Sequence, residues 1–253
     1  MSFRRARLGN WIIMAVLLIT GAGGAVGGML RDRLGHHELR LTDLHPAEGI
    51  AALDVTDGDA VEKACQGVDA VVHLGGYADE APFDDLLEVN VRGTERVLAA
   101  AQRAGVPRVV LASSNHAAGR HPRCDDLADD AMPWPDSYYG WSKTAIESLG
   151  RLCHDRYGLH VICLRIGACK PEPVESRDLS VWLSPDDLAR LVEASLTATG
   201  FHLVWGVSAN TRRWWSAAGG AAIGYHPRDD AERWAATVRE SDERTQQTVG
   251  GRA

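Results

Sequence analysis

The stretch "SYYGWSK" sets Tyr139 and Lys143 four residues apart, hence on one face if the segment is helical. A phenol, with an ordinary pKa of about 10, becomes a proton acceptor near neutrality when a neighbouring ammonium stabilises its phenolate. Alcohol oxidation needs such a base, because the hydroxyl proton must leave while a hydride departs from the carbon. Earlier in the chain "LASSNH" ends a predicted strand on Ser113 and Ser114. Ser114 would donate to or accept from the reacting oxygen and hold it in place. A Tyr–Lys pair arises readily by chance, whereas a serine at the end of the preceding strand makes the set far more specific.

A hydride also needs an acceptor. "TGAGGAVG", Thr20 to Gly27, puts Gly21, Gly24 and Gly27 directly after an apolar run and before a helical pattern. A tight turn, bare backbone where a pyrophosphate approaches and helix amides aimed at the anion all ask for this composition. The G-x-G-x-x-G spacing fails at Val26. T-G-x-x-G-x-x-G fits instead, and resembles the short-chain dehydrogenase/reductase superfamily. Asp43 closes the next strand, roughly 20 residues on, where an acidic side chain takes the ribose hydroxyls of NAD and repels the extra phosphate of NADP. Asp54, in "LDVTD", suits an adenine contact. Lys143 would reach the nicotinamide ribose. Arg4, Arg5 and Arg7 ahead of the apolar run also fit a secretory signal. Cleavage near these glycines would destroy the strand and loop that the rest of the chain presupposes, so the phosphate-loop reading is preferred.

These groups must be positioned by regular elements, and apolar runs alternate with helical periodicities along the chain. Strands are expected at Met14–Ile19, in "HELRLTD" up to Asp43, and in "DAVVHLGG", "PRVVLASS", "LHVICLRIG" and "HLVWGVS". Helices are expected at Ala25–Leu34, from about Phe83 to Ala104, at Ser137–Tyr157, and over "SPDDLARLVEASL" with Ser184 as its cap. Continuous apolar strands separated by helices imply an α/β fold, a Rossmann-type doubly wound parallel sheet covered on both faces. The expected organisation is an N-terminal extension over residues 1–13, with Met14 an alternative start, and an NAD-binding core over 14–167. A small substrate-binding lobe over 168–238 and a flexible, polar tail over 239–253 follow.

Composition excludes several classes. A formal charge of −7 over 253 residues argues against nucleic acid as the main partner. Five cysteines, with no C-x-x-C pair, argue against a disulfide framework or a zinc site and for free thiols in the cytoplasm. The longest fully apolar stretch, Trp11 to Ile19, is far shorter than the roughly 18 residues a membrane span requires. No metal is expected.

"TGAGGAVG", "HLGG", "ASSNH", "YGWSK", "RIGACKPEP" and "VWGVSAN" together resemble the bacterial uronate dehydrogenases, extended members of the short-chain dehydrogenase group. The resemblance runs in order from about Met14 to Trp234. It implies NAD-dependent oxidation of the anomeric carbon of galacturonate or glucuronate to an aldarolactone, in a homo-oligomer. It further implies Ser114, Tyr139 and Lys143 as the catalytic set, with Asn115 and His116 on sugar hydroxyls and Arg177 on the uronate carboxylate. Its cofactor positions are Gly21, Gly24, Ala25, Val26, Asp43, Asp54, Val55, Leu74, Gly75 and Asn90, together with Tyr139 and Lys143. The family usually carries serine where this chain has Ala78 and Ala168, which removes two hydroxyls from the implied pocket. An NAD-dependent sugar epimerase or dehydratase is the alternative of the same fold. It would hold a nucleotide-sugar, for which the roughly 85 residues after Gly167 are few. A non-catalytic NAD-sensing module would predict a broken Tyr–Lys pair, and both residues are present.

Overall fold

The computed structural model describes residues 7, 8, 11, 12, 14–124 and 126–251. The apolar runs become seven strands: β1 Val16–Thr20, β2 Glu38–Asp43, β3 Ala51–Ala52, β4 Ala70–His73, β5 Arg108–Ser114, β6 His160–Ile166 and β7 Phe201–Gly206. Every pairing between them is parallel, in the order β7-β6-β5-β4-β1-β2-β3. The order reverses beside β1, and ligands of such sheets bind in the crevice outside the strand ends at that reversal. Thr20, the last residue of β1, stands opposite Thr42 of β2 and His73 of β4, so three strands end level with one another there.

The main helices are α1 Ala25–Arg31, α2 Gly58–Cys65, α3 Gly93–Arg103, α4 Tyr138–Tyr157 and α5 Pro185–Thr197. Because side chains alternate along a strand, β1 feeds two cores. Leu17 and Ile19 pack with Leu30, Leu188 and Leu191 on one face of the sheet, and Leu18 with Val61, Val97 and Leu98 on the other. Both faces being covered is why the strands read as unbroken apolar runs. Ser137 caps α4 by accepting from the Gly140 N–H at 3.0 Å, and Ser184 caps α5 by accepting from Asp187 N–H at 2.9 Å.

Three segments differ from the sequence expectation. The helix expected to reach Leu34 ends at Arg31, and the chain then turns so that Leu34 itself is buried. The long helix expected from Phe83 is interrupted. One α-turn, Phe83–Asp85, leads into a π-helix over Leu86–Arg92 before α3 begins. The polar tail expected over 239–253 lies against the rest of the protein up to Gly251. Val249 is fully buried, Gly250 N–H donates to Gly119 O at 2.9 Å, and Arg123 N–H donates to Gln247 O at 2.9 Å. Polarity misleads here because the segment docks through its backbone.

After Gly167, Ala168–Cys169 pairs in parallel with Trp182–Leu183. Ala168 packs on a cluster of Trp205, Trp214, Trp215, Val181 and Val249. The extension expected over residues 1–13 falls mostly outside the described residues, in which Arg7–Leu8 and Trp11–Ile12 pair as two short antiparallel strands. Among the described residues, no helix is long and apolar enough to cross a membrane.

Candidate active site

A cleft of about 960 Å³ opens at the strand ends where the sheet order reverses. Gly21, Gly24, Ala25, Val26, Asp43, Asp54, Val55, Leu74 and Gly75, all predicted cofactor positions, line it, and so does Ala78. Gly21 has φ +71°, and a Cβ there would come within 2.7 Å of the Gly75 nitrogen, so only glycine serves. A Cβ on Gly27 would meet Gly21 O at 2.5 Å and Ala22 Cα at 2.6 Å. The loop is thus a cradle whose shape depends on missing side chains, which fits a dinucleotide pyrophosphate. The Asp43 carboxylate is fixed at its rim, accepting from Gly23 N–H at 2.9 Å and His45 N–H at 3.1 Å. Asp54 accepts from the Thr56 hydroxyl at 2.7 Å and from its N–H at 2.8 Å. Those two bonds hold its carboxyl below the usual carboxylate range.

Beneath the loop, Thr20 Oγ1 lies 2.7 Å from His73 Nδ1 and accepts from Gly75 N–H at 3.2 Å, while His73 Nε2 lies 3.0 Å from Thr94 Oγ1. Burial pushes the His73 imidazole down to about 3, and the nearby Lys143 cation adds to this. His73 is therefore a neutral strut.

Asn90, expected at the cofactor, makes its own bonds within the protein. It is buried outside the cleft, and its Oδ1 accepts from Tyr77 N–H at 2.8 Å while its Nδ2 donates to Ser142 Oγ at 3.0 Å. The widened π-turn lets Asn90 reach both partners, tying the Tyr77 loop at the cleft floor to α4. Glu80 continues that link by accepting from the N–H groups of Tyr138 and Tyr139 at 3.2 and 3.0 Å.

Tyr139 and Lys143 lie on the first turns of α4, both buried. Lys143 Nζ donates to Ala112 O at 2.9 Å and stands 5.5 Å from the Tyr139 ring centroid. Burial pushes the ammonium down to about 8, and Glu147 one turn on opposes this. Glu147 is itself locked, accepting from Arg165 at 2.9 and 2.8 Å and from the Ser113 hydroxyl at 2.6 Å. Of the two serines that end β5, Ser113 thus belongs to the core network. Ser114 donates to Asn115 Oδ1 at 3.3 Å and accepts from His116 N–H at 3.2 Å. The His116 ring meets Tyr139 edge-on, with centroids 5.7 Å apart.

The structure brings Arg177 to the same mouth by a route that sequence reasoning missed. Val249 O accepts from Asn115 Nδ2 at 2.8 Å and from the Arg177 guanidinium, so one carbonyl joins the two side chains. Arg177 also donates to the carbonyls of Thr245 and Thr248, and its guanidinium stands 4.8 Å from the Trp214 ring centroid. Burial pushes it down to about 10, against the nearby Asp178, Glu175 and Asp136 carboxylates. Of its five N–H groups, three point at the C-terminal segment, leaving two, the number that one carboxylate fork requires. The signal that could have revealed this wall is Gly250–Gly251 in an otherwise polar tail. A Cβ on Gly251 would lie 3.0 Å from Arg177 Cζ.

Among the described residues, His36, His37 and Glu193 form a cluster of metal-ligand type away from this mouth. His37 Nδ1 accepts from Ala15 N–H at 3.1 Å, so its neutral ring carries the proton on Nε2 and turns no lone pair toward Glu193.

Comparison with known proteins gives this geometry its family. Residues 17–169 match the NAD dependent epimerase/dehydratase family. The chain belongs to that family. Within it, the chain is similar to the uronate dehydrogenase of Pseudomonas syringae pv. tomato, 40% identical over 88% of this chain and 85% of that one. It is also similar to the L-arabinose 1-dehydrogenase (NAD(P)(+)) of Haloferax volcanii, 38% identical over 86% of this chain and 98% of that one. The crystal structure of uronate dehydrogenase from Agrobacterium tumefaciens superposes with a TM-score of 0.89 at 38% identity, covering 94% of this chain and 96% of that chain. The resemblance read from the sequence motifs is borne out.

Proposed function

We propose that this protein oxidises the anomeric hydroxyl of a hexuronate, galacturonate or glucuronate, to the aldarolactone, with NAD as the hydride acceptor. The observation that carries the reading is the shared carbonyl of Val249, which sets a buried guanidinium beside Asn115, the residue that follows Ser114. A cation with two donors to spare in that place suits a substrate that is both an alcohol and a carboxylate.

Gly21, Gly24, Ala25 and Val26 would bed the pyrophosphate, Asp43 would take the adenosine ribose hydroxyls, and Asp54 and Val55 would flank the adenine. Leu74 and Gly75 form the floor toward the reacting end. NAD supplies the hydride acceptor. Tyr139 takes the hydroxyl proton, Ser114 holds that oxygen, and the Lys143 cation stabilises the phenolate as it forms. Asn115 and His116 face the sugar hydroxyls, and Arg177 grips the carboxylate. A homo-oligomer in the cytoplasm belongs to the same proposal. The exposed, mutually packed rings of Phe83, Tyr138 and Trp141 support self-association, and the free thiols of Cys65 and Cys163 support a reducing compartment.

The test follows NADH absorbance with galacturonate, glucuronate, galactose, glucose and L-arabinose. Arg177→Ala leaves the carboxylate desolvated without a partner, at about 3 kcal/mol, so kcat/KM for the uronate falls roughly a hundredfold. Arg177→Lys recovers part of this, since an ammonium lacks the fork. Neutral sugars should be poor substrates and nearly indifferent to the change. Oxidation of any neutral sugar as fast as the uronates, or an Ala cost below about tenfold, sinks the assignment.

A further inference from the structure

We propose that Asp136 is a positioning residue that sets the tautomer of His116, so that the imidazole presents an unprotonated Nε2 to a sugar hydroxyl beside Tyr139. The inference rests on the hexuronate reading of this mouth and adds to it a residue that the sequence motifs did not single out.

The Asp136 side chain is fully buried, while that of His116 keeps 18% of its surface exposed. Both carboxylate oxygens reach His116 Nδ1, at 3.0 and 2.9 Å. An ionised carboxylate only accepts, so in the neutral ring the proton sits on Nδ1 and Nε2 keeps its lone pair. Burying a carboxylate is costly unless it is paired, and His116 together with Ser137 supplies the pairing. Ser137 Oγ donates to Asp136 at 3.0 Å and accepts from Gly140 N–H at 3.0 Å. The same carboxylate is thereby tied to the first turn of α4, on which Tyr139 stands.

The enclosure around Asp136 is complete. A Cβ on either Gly119 or Gly250 would overlap its Oδ2, so the loop after β5 and the C-terminal segment both close on it. Held this way, the His116 ring stands 5.7 Å from the Tyr139 ring at an interplanar angle of 70°. An acceptor fixed in such a place recognises a hydroxyl and disfavours an analogue that lacks one, because the nitrogen is then unpaired. The ligand chemistry is therefore a sugar acid with a free hydroxyl next to the reacting carbon.

The test has two arms. In the first, protein labelled with ¹⁵N-histidine reports the ring nitrogens of His116 at pH 8, with His116→Gln giving the assignment. A protonated Nδ1 and a bare Nε2 are expected. In the second, Asp136→Asn raises KM for the uronate roughly tenfold or more while kcat stays within about threefold and NAD affinity is unchanged. In a His116→Gln background the same change adds less than about twofold, since its effect runs through the ring. A proton on Nε2 of the parent, additive losses in the double variant, or a matching loss of NAD affinity overturns the proposal. Failure of the hexuronate reading looks different: the parent reduces no NAD with any uronate. The ring spectrum decides the tautomer in either case.

Discussion

Two glycine-bearing segments wall the site from opposite parts of the chain, and they are built in different ways. Thr20–Gly27 is the turn between β1 and α1. Its bonds are close in sequence, from Gly24 N–H to Gly21 O and from Gly23 N–H to Asp43 twenty residues on. Residues 243–251 contain one short 3₁₀ turn, Glu243–Gln246, and otherwise no regular element. Their backbone is held by Asn115, Gly119, His121, Arg123 and Arg177. In the proposed function the first segment bears on the cofactor and the second on the substrate. The contrast implies that the two binding functions can be damaged separately.

The largest effect should come from the second segment. A chain stopped after Asp242 leaves Arg177 and Asn115 without their carbonyl partners. At about 2 kcal/mol for each, kcat/KM for the uronate falls roughly a thousandfold, while the Kd for NAD stays within about threefold. Equal losses of both would break the separation. Gly27→Ala should do the converse. Its Cβ meets backbone at 2.5 Å, and overpacking of a few kcal/mol weakens NAD binding roughly fiftyfold while leaving the uronate KM within a factor of about three. Calorimetric titration of NAD, set beside steady-state kinetics of both variants, decides the point.

The strut beneath the first segment gives a smaller and pH-dependent effect. His73 is held at about 3 in the fold and returns to about 6.5 on unfolding. The unfolded chain therefore binds the extra proton below pH 6.5, and stability falls as pH drops, by about 2 kcal/mol between pH 7 and 5. Urea unfolding at the two pH values should show this difference shrink by that amount in His73→Gln. An unchanged difference would remove the buried histidine from the acid sensitivity of the loop. The smallest effect is expected of Asp43→Asn. Removing the rim carboxylate relieves repulsion of a 2′-phosphate, so the NAD over NADP preference in kcat/KM should fall about tenfold. No change would take Asp43 out of cofactor selection.

What could be read from the sequence follows the same division. The parallel sheet, the glycine loop, Asp43 and the cap Ser184 were legible because each is specified by neighbours within a turn or a strand. The Tyr139–Lys143 pair was legible because the two share one helix face, and Ser114 because it ends one strand. The local partners of Asn90 were not legible. Its polar atoms looked available on an ordinary helix face, and only the π-turn directs them at Tyr77 and Ser142. Asp136 and Val249 were invisible for a different reason. Each acts on partners brought close by the whole fold, and Val249 acts through a carbonyl that every residue type possesses.

The reach of those contacts also orders the assembly of the site in time. Asn115 and Val249 are 134 positions apart and Arg177 and Thr248 are 71 apart, whereas the glycine loop is held by partners from 3 to 55 positions away. Closing the longer intervals has the greater entropic cost, and contacts distant in sequence form slowly. During refolding from denaturant, dinucleotide binding should therefore return first. Sugar turnover follows once the far wall has found its arginine.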